Sequence, residues 1–276
     1  MSTDTYLYPE RRLGADRRTT VDSLAAAGLL AALERGEIEV LFQPQFGVAG
    51  ELVGAEALTR WQHPDRGTIG GADLFFVAER ARRVRQVSCH VARTALAAAV
   101  GWSQALRLSL NVTPAELANE EFGDCVEKVL ADSSFDPGRL TLEITEQSLL
   151  AELDHPARQL RRLAGLGIHI ALDDFGAGFC NFRYLKELPL HAIKLDRSMV
   201  QGITEDARDL AVLRGIIAMA QALDLKVIAE GIETEEQRAA VVREGCSAWQ
   251  GFLGGEPMNS DAVELMARTQ NTLSIA

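Results

Sequence analysis

Closely spaced cysteine pairs are missing from this chain. Its four cysteines, Cys89, Cys125, Cys180 and Cys246, lie far apart and show no C-x-x-C spacing. That spacing suggests neither a zinc knuckle nor a disulfide framework, so free thiols in a reducing cytoplasm are expected. Long apolar runs are missing too: the longest early one, Leu24 to Leu33, is too short to span a bilayer. Met1 to Thr20 lacks a signal-peptide layout, being polar and carrying Arg11, Arg12, Arg17 and Arg18. Excess positive charge is also absent. A formal net charge of −11 argues against a nucleic-acid polymer or an anionic membrane as partner. An anionic ligand stays open, because bound metal ions invert the local sign. Histidine is scarce. His63, His90, His155, His169 and His191 are scattered through loops and segment edges, and none has the placement of a general base.

What is present is an ordinary globular composition, 47% hydrophobic and 24% charged over 276 residues. Residues 1–20 read as a flexible, arginine-rich arm, residues 21–270 as one domain and residues 271–276 as a tail. Leu24, Leu29, Leu30 and Leu33 recur near the helical period, which predicts a helix over 21–35 with Asp22 or Ser23 capping it. Strand-like runs follow at 39–46, 52–61, 106–112, 140–145, 169–175, 192–195, 226–232 and 248–253. Helical stretches are predicted at 114–131, 148–166, 182–187, 205–223 and 233–244, and 72–102 has room for two more. Only Gly47-Val48-Ala49-Gly50 joins the first two runs, too little for a crossover helix, so that pair should be antiparallel. The remaining β-α alternation indicates a parallel sheet, either barrel or doubly wound, and eight strands in this length favour an α/β barrel.

Polar residues gather at the ends of the apolar runs: Glu56 with Arg60, Asn111, Glu143 with Glu146, Asp173 with Asp174, Lys194 with Asp196, Glu230 with Glu233, and Gln250. In a β/α barrel the C-terminal strand ends form one mouth, so these groups should converge. Asp173 and Asp174 close the run Ile168-His169-Ile170-Ala171-Leu172, just before Phe175-Gly176-Ala177-Gly178. Adjacent carboxylates at a buried strand end share a proton or face a cation; a solvated loop pair is the alternative. Glu56, Glu143, Asp173, Asp174 and Glu230 against Lys194 leave the pocket unbalanced, which calls for protons or cations. All-oxygen ligands suit Mg²⁺ or Mn²⁺ rather than Zn²⁺, and Ca²⁺ is expected to bind without supporting turnover. Paired hard cations serve phosphoester hydrolysis by activating a water, which removes the need for a histidine base. Lys194 would orient that water and balance charge, or would instead be a barrel lysine paired with Asp196.

These residues carry a resemblance. Phe42-Gln43-Pro44, Glu56-Ala57-Leu58-Thr59-Arg60-Trp61-Gln62-His63-Pro64, Asn111-Val112-Thr113 and Glu143-Ile144-Thr145-Glu146 occur in order. Asp173-Asp174-Phe175-Gly176, Lys194-Leu195-Asp196-Arg197-Ser198, Ala229-Glu230-Gly231-Ile232-Glu233-Thr234 and Gln250-Gly251 follow. From Leu24 to Pro257 the chain resembles the EAL-type cyclic-di-GMP phosphodiesterases. The resemblance implies a modified TIM (β/α)8 barrel with one antiparallel strand. It implies hydrolysis of cyclic di-GMP to linear pGpG with two divalent cations, Mg²⁺ or Mn²⁺. Glu56, Asn111, Glu143 and Asp173 would hold one ion; Asp173, Asp174 and Glu230 would hold the second. Lys194 would contact the attacking water, and Arg60 would clamp a substrate phosphate. Gln43, Leu58, Asp196, Glu233 and Gln250 would line or brace the substrate groove. Glu146 would anchor the loop after Asp174, a loop the family uses to link dimerisation to metal binding. A homodimer is implied, with no nucleic-acid or membrane partner.

The chain departs from the family pattern in the loop Ala177-Gly178-Phe179-Cys180-Asn181, where the usual hydroxyls are absent, so activity is expected to be weaker or more dependent on a partner. Arg80-Ala81-Arg82-Arg83 also departs, as a solvated face or a contact for an acidic partner. The twenty N-terminal residues are too few for a diguanylate cyclase, receiver or PAS-like region, so regulation is expected through oligomerisation, the arm or a separate protein. The rival expectation is a catalytically weak or silent EAL domain acting as a cyclic-di-GMP receptor or protein-interaction module.

Overall fold

A computed structural model describes residues 26–145, 153–177 and 182–273. The expected arm, the loop anchor Glu146 and the loop residues Gly178 to Asn181 lie outside the described residues. Helix α1 (Ala26–Glu34) leads into strand β1 (Ile38–Gly47), which turns back tightly into β2 (Leu52–His63). A short strand β3 (Gly67–Gly70) and helices α2 (Gly71–Arg80) and α3 (Val84–Ala99) come next. The β-α units are then β4 (Arg107–Val112) with α4 (Pro114–Leu117) and α5 (Phe122–Ser133), and β5 (Leu140–Thr145) with α6 (Asp154–Ala164). They continue as β6 (His169–Phe175) with α7 (Phe182–Glu187), β7 (Ala192–Leu195) with α8 (Ala207–Ala222), and β8 (Lys226–Ala229) with α9 (Glu235–Glu244). Strand β9 (Ala248–Gln250) and helix α10 (Ser260–Leu273) complete the described order.

The sheet order is β1-β9-β8-β7-β6-β5-β4-β2-β3, and β1 also pairs with β2, so eight strands close into a barrel with β3 outside it. Strand β1 runs antiparallel to both neighbours, with Gln43 opposite Glu56 and Gln45 opposite Gln250. From β2 through β4 to β9 the pairings are parallel. Closure is what removes sheet edges. The expected antiparallel first strand follows from its four-residue turn, whose Gly47 N–H donates to the Glu51 carbonyl at 2.8 Å.

The main core lies between barrel and helices, around Phe42, Leu108, Leu142, Ile170, Ile193 and Val227. A second cluster, with Leu29, Trp61, Ile69, Leu74 and Val87, seats α1, α2 and α3 on the far end of the β1–β2 ribbon. The predicted helix over 114–131 is broken: Thr113 caps the four-residue α4, accepting from Glu116 N–H while the Glu116 carboxylate accepts from Thr113 N–H. That reciprocal box ends one short turn, and a new helix starts at Phe122. Strand β3 and helix α10 lay outside the predicted elements, although Val263, Met266 and Ala267 recur at helical spacing in α10. Helix α10 is fixed from outside itself: Trp102 Nε1–H donates to Ser260 Oγ at 2.8 Å, and Leu52 N–H donates to Gln270 Oε1 at 2.6 Å.

The expectation of free thiols fails for two cysteines. Cys89 on α3 and Cys125 on α5 form a disulfide, with Cα atoms 7.0 Å apart. Helices α3 and α5 pack side by side, a proximity invisible in a sequence separation of 36. Cys246 is free and buried, its thiol pushed up to about 12 chiefly by burial. No helix among the described residues is long and apolar enough to cross a membrane.

Candidate active site and metal centre

Residues two apart on a strand share a face, so the inward face of each barrel strand delivers one or two polar groups to the C-terminal end. Glu56 comes from β2, Asn111 from β4, Glu143 from β5, Asp173 from β6 and Lys194 from β7. Glu230 directly follows β8 and Gln250 ends β9. Lys194 is completely buried at the centre. Its Nζ lies 2.5 Å from Glu143 Oε2, 2.6 Å from Glu230 Oε1, 3.2 Å from Glu56 Oε2 and 3.3 Å from Asp173 Oδ1. Its ion pairs run to these four carboxylates; Asp196 instead accepts from Ser198 N–H at 2.9 Å, capping the turn Arg197–Met199.

A ring of amides orients Glu56. Asn111 Nδ2–H donates to its Oε1 at 2.7 Å, and Gln250 Nε2–H donates to its Oε2 at 2.8 Å. Gln250 Nε2 also reaches Gln43 Oε1 at 2.9 Å, and Gln45 Nε2–H donates to Gln250 Oε1 at 2.9 Å. Gln45 was missed from the sequence, although it shares a strand face with Gln43 two residues earlier and is buried.

The β6–β7 register slips between Leu172 and Phe175, and Asp174 takes φ +55°. A bulge of this kind re-aims side chains. Strict alternation would send Asp173 and Asp174 to opposite faces. Here oxygens of Asp173, Asp174 and Glu230 lie within 4.8 Å of one another, as do those of Glu56, Glu143 and Asp173. Gly176 completes the turn at φ +98°, where a side chain would also meet Met199.

Electrostatics follow from crowding. Burial opposes ionisation of Glu56, but Lys194 and the amide donors outweigh it and hold its carboxyl below the usual range. Burial pushes Glu143 up to about 8 against the pull of Lys194, with Glu56 and Asp173 adding to the rise. Burial likewise raises Asp173, Asp174 and, strongly, Glu230. Burial works against the Lys194 charge, yet four carboxylates raise its ammonium well above the ordinary value. One lysine therefore does not satisfy the cluster. Glu143 Oε1 is buried with no hydrogen-bond partner, which marks an acceptor waiting for a cation. The donor set, carboxylate oxygens in two overlapping groups that share Asp173, fits hard divalent cations.

Beside this rim a cavity of about 560 Å³ opens between β2, β4 and helices α2 to α5, lined by Leu58, Arg60, Asn111, Phe75, Val91 and Phe122 among others. Arg60 also donates to its neighbour's carbonyl, Thr59 O, at 2.9 Å. Asp196 lies close enough to Asp174 to raise its carboxyl. Glu233 stands further out, exposed and paired with Arg197 at 2.9 Å.

Fold and site together define a β/α barrel with one antiparallel first strand and a carboxylate-lined mouth suited to divalent cations. The chain belongs to the EAL domain family, whose model matches residues 26–257. An "uncharacterized signaling protein" of Caulobacter vibrioides is 37% identical over 91% of this chain and 31% of its own length. The cyclic di-GMP phosphodiesterase RocR of Pseudomonas aeruginosa is 34% identical over 91% of this chain and 65% of its own. Among solved structures, the PaMucR phosphodiesterase in its c-di-GMP complex has TM-score 0.79 at 33% identity, covering 86% of this chain and 99% of that one. The cAMP- and cyclic-di-GMP-bound EAL enzyme Bd1971 has TM-score 0.84 at 25% identity, covering 92% and 70%. The chain spans about a third of the length of most curated relatives it matches.

Proposed function

We propose that this chain hydrolyses cyclic di-GMP to linear pGpG. The single observation that carries the reading is the buried cluster of Glu56, Glu143, Asp173 and Glu230 around Lys194, with Glu143 Oε1 unpartnered, in an EAL domain. Glu56, Asn111, Glu143 and Asp173 are the residues to hold one divalent ion, and Asp173, Asp174 and Glu230 the second. When bound, such ions supply an activated water and steady the charge on the phosphoryl oxygens. Lys194 would orient that water, and it offsets part of the rim's negative charge. Arg60 faces the cavity with a planar guanidinium that matches a phosphate bidentately. Leu58 offers apolar surface to a base, Gln250 donates to the Glu56 carboxylate while Gln43 accepts from Gln250, and Asp196 and Glu233 bound the outer groove. Glu146 is assigned the loop after Asp174.

The same reading has Mg²⁺ or Mn²⁺ as the ions, with Ca²⁺ binding unproductively. It has a homodimer as the assembly, a regulatory protein as a further partner, and the cytoplasm as the compartment. Reduction of the Cys89–Cys125 pair is expected there. The test is direct: incubate purified protein with cyclic di-GMP and Mg²⁺ or Mn²⁺ and follow pGpG. Turnover lost in Glu56→Ala is the expected result. Tight binding with no turnover would replace the enzyme by a receptor.

A further inference from the structure

The opposite end of the barrel carries the opposite charge. Arg107 opens β4, His169 opens β6, His191 directly precedes β7 and Lys226 opens β8. Parallel register brings them together: Lys226 pairs with Ala192, next to His191, and the Lys226 N–H donates to the His191 carbonyl at 3.0 Å. The His191 and His169 rings stack with centroids 4.4 Å apart and planes 16° from parallel. His191 is held in place from β6, its N–H donating to Ile170 O at 2.8 Å and its Nδ1 accepting from Ile170 N–H at 3.1 Å. Arg107 is half-buried, and its Nη2 is buried with no hydrogen-bond partner. A guanidinium nitrogen is a donor only, so its missing partner must be an acceptor.

We propose that this N-terminal end of the barrel binds a small free oxyanion of the phosphate class between Arg107, His169, His191 and Lys226. Arg107 supplies a half-buried fork with Nη2 unpartnered, Lys226 an exposed ammonium, and the stacked imidazoles the wall. The groups facing His169 and His191 are mutually repulsive. Burial, then Arg107, His191 and Lys226, push His169 down to about 4, and burial with Arg107 and Lys226 lowers His191 against the Pro189 carbonyl. Burial also lowers Arg107, and Asp136 supplies the opposing charge. The Asp136 Oδ1 is already engaged, accepting from Gly138 N–H at 2.8 Å. An anion here offsets the charges of Arg107 and Lys226 and satisfies the orphaned donor at once. The site lies at the far end of the strands from the acidic rim, so its failure would leave the hydrolase reading intact.

The test uses the full chain freed of metal, so that the rim repels phosphate. Imidazole NMR signals are followed while inorganic phosphate replaces chloride at constant ionic strength. His169 and His191 should shift saturably, and the His169 midpoint should rise from about 4. His63 and His90 should stay still. Arg107→Gln and the exposed Lys226→Gln should each weaken phosphate binding about tenfold or more. Unchanged His63 and His90 signals report that each variant is folded. Shifts that track total salt, or that persist undiminished in both variants, would overturn the proposal.

Discussion

The two ends of the barrel use one strand face for opposite purposes. Asn111, Asp173 and Glu230 at the C-terminal end stand four residues after Arg107, His169 and Lys226 at the other. Positions four apart on a strand point the same way, so these three strands each carry a negative or amide group at the exit and a cation or imidazole at the entrance. At the exit, carboxylates crowd around one lysine and leave an acceptor bare. At the entrance, Arg107 and Lys226 stand beside two imidazoles and leave a donor bare. In each case an unpaired buried atom marks what the protein alone does not provide. The comparison teaches that charge is sorted along the barrel axis rather than scattered, and that both surpluses point to ligands of opposite sign.

The largest effect should come from removing the one cation at the exit. Lys194→Met leaves three buried carboxylates and the half-buried Glu230 facing each other, and in the metal-free protein this should cost about 3–5 kcal/mol of stability. Calorimetry with and without Mg²⁺ reads it; recovery of most of the loss by Mg²⁺ supports an exit built for cations, and no recovery breaks the comparison. On turnover, Glu56→Ala should lower kcat by about 10²–10³ or more, the scale of removing one preorganised electrostatic group. Lys226→Gln at the entrance should leave kcat essentially unchanged in the same pGpG assay. A smaller effect is expected at the cap beyond β4: Thr113→Ala loses the reciprocal bonds with Glu116 and should cost about 1 kcal/mol in chemical denaturation.

An effect of a different kind concerns pH. His169 sits at about 4 when folded against an ordinary 6.5, so the unfolded chain takes up that proton first. The stability this contributes is complete above the ordinary value and drains away as pH falls from there through the folded one. His169→Gln should therefore flatten the fall in melting temperature across that window. An unaltered slope would mean the entrance cations do not act on His169.

Much of this was legible in the sequence because the physics was local. The four-residue turn at Gly47 forced an antiparallel pair, and the apolar runs closed by Glu56, Glu143 and Asp173 placed a rim at one mouth. What escaped was set by packing between distant segments. Cys89 and Cys125 meet only because α3 and α5 lie side by side. Helix α10 is pinned by Trp102 and Leu52, and its apolar spacing at Val263, Met266 and Ala267 was overlooked. The break after α4 lay in plain view as Thr113 and Glu116 at capping-box spacing, overlooked because the apolar pattern runs on past it. The bulge that turns Asp174 toward Asp173 and Glu230 depends on the slip against β7, so the dipeptide suggested a site while its geometry came from a neighbouring strand. The entrance cations were visible at a spacing of four, but they carry meaning only beside the exit residues on the same face.

The central claim is that the carboxylates around Lys194 exist to hold a pair of divalent cations. Titrating the metal-free chain with Mn²⁺ and following the free ion by electron paramagnetic resonance tests it most directly. Two bound ions per chain, magnetically coupled, and loss of the coupled pair in Asp173→Asn are the predicted result. Binding of a single ion, or a stoichiometry that ignores Asp173, would contradict the account.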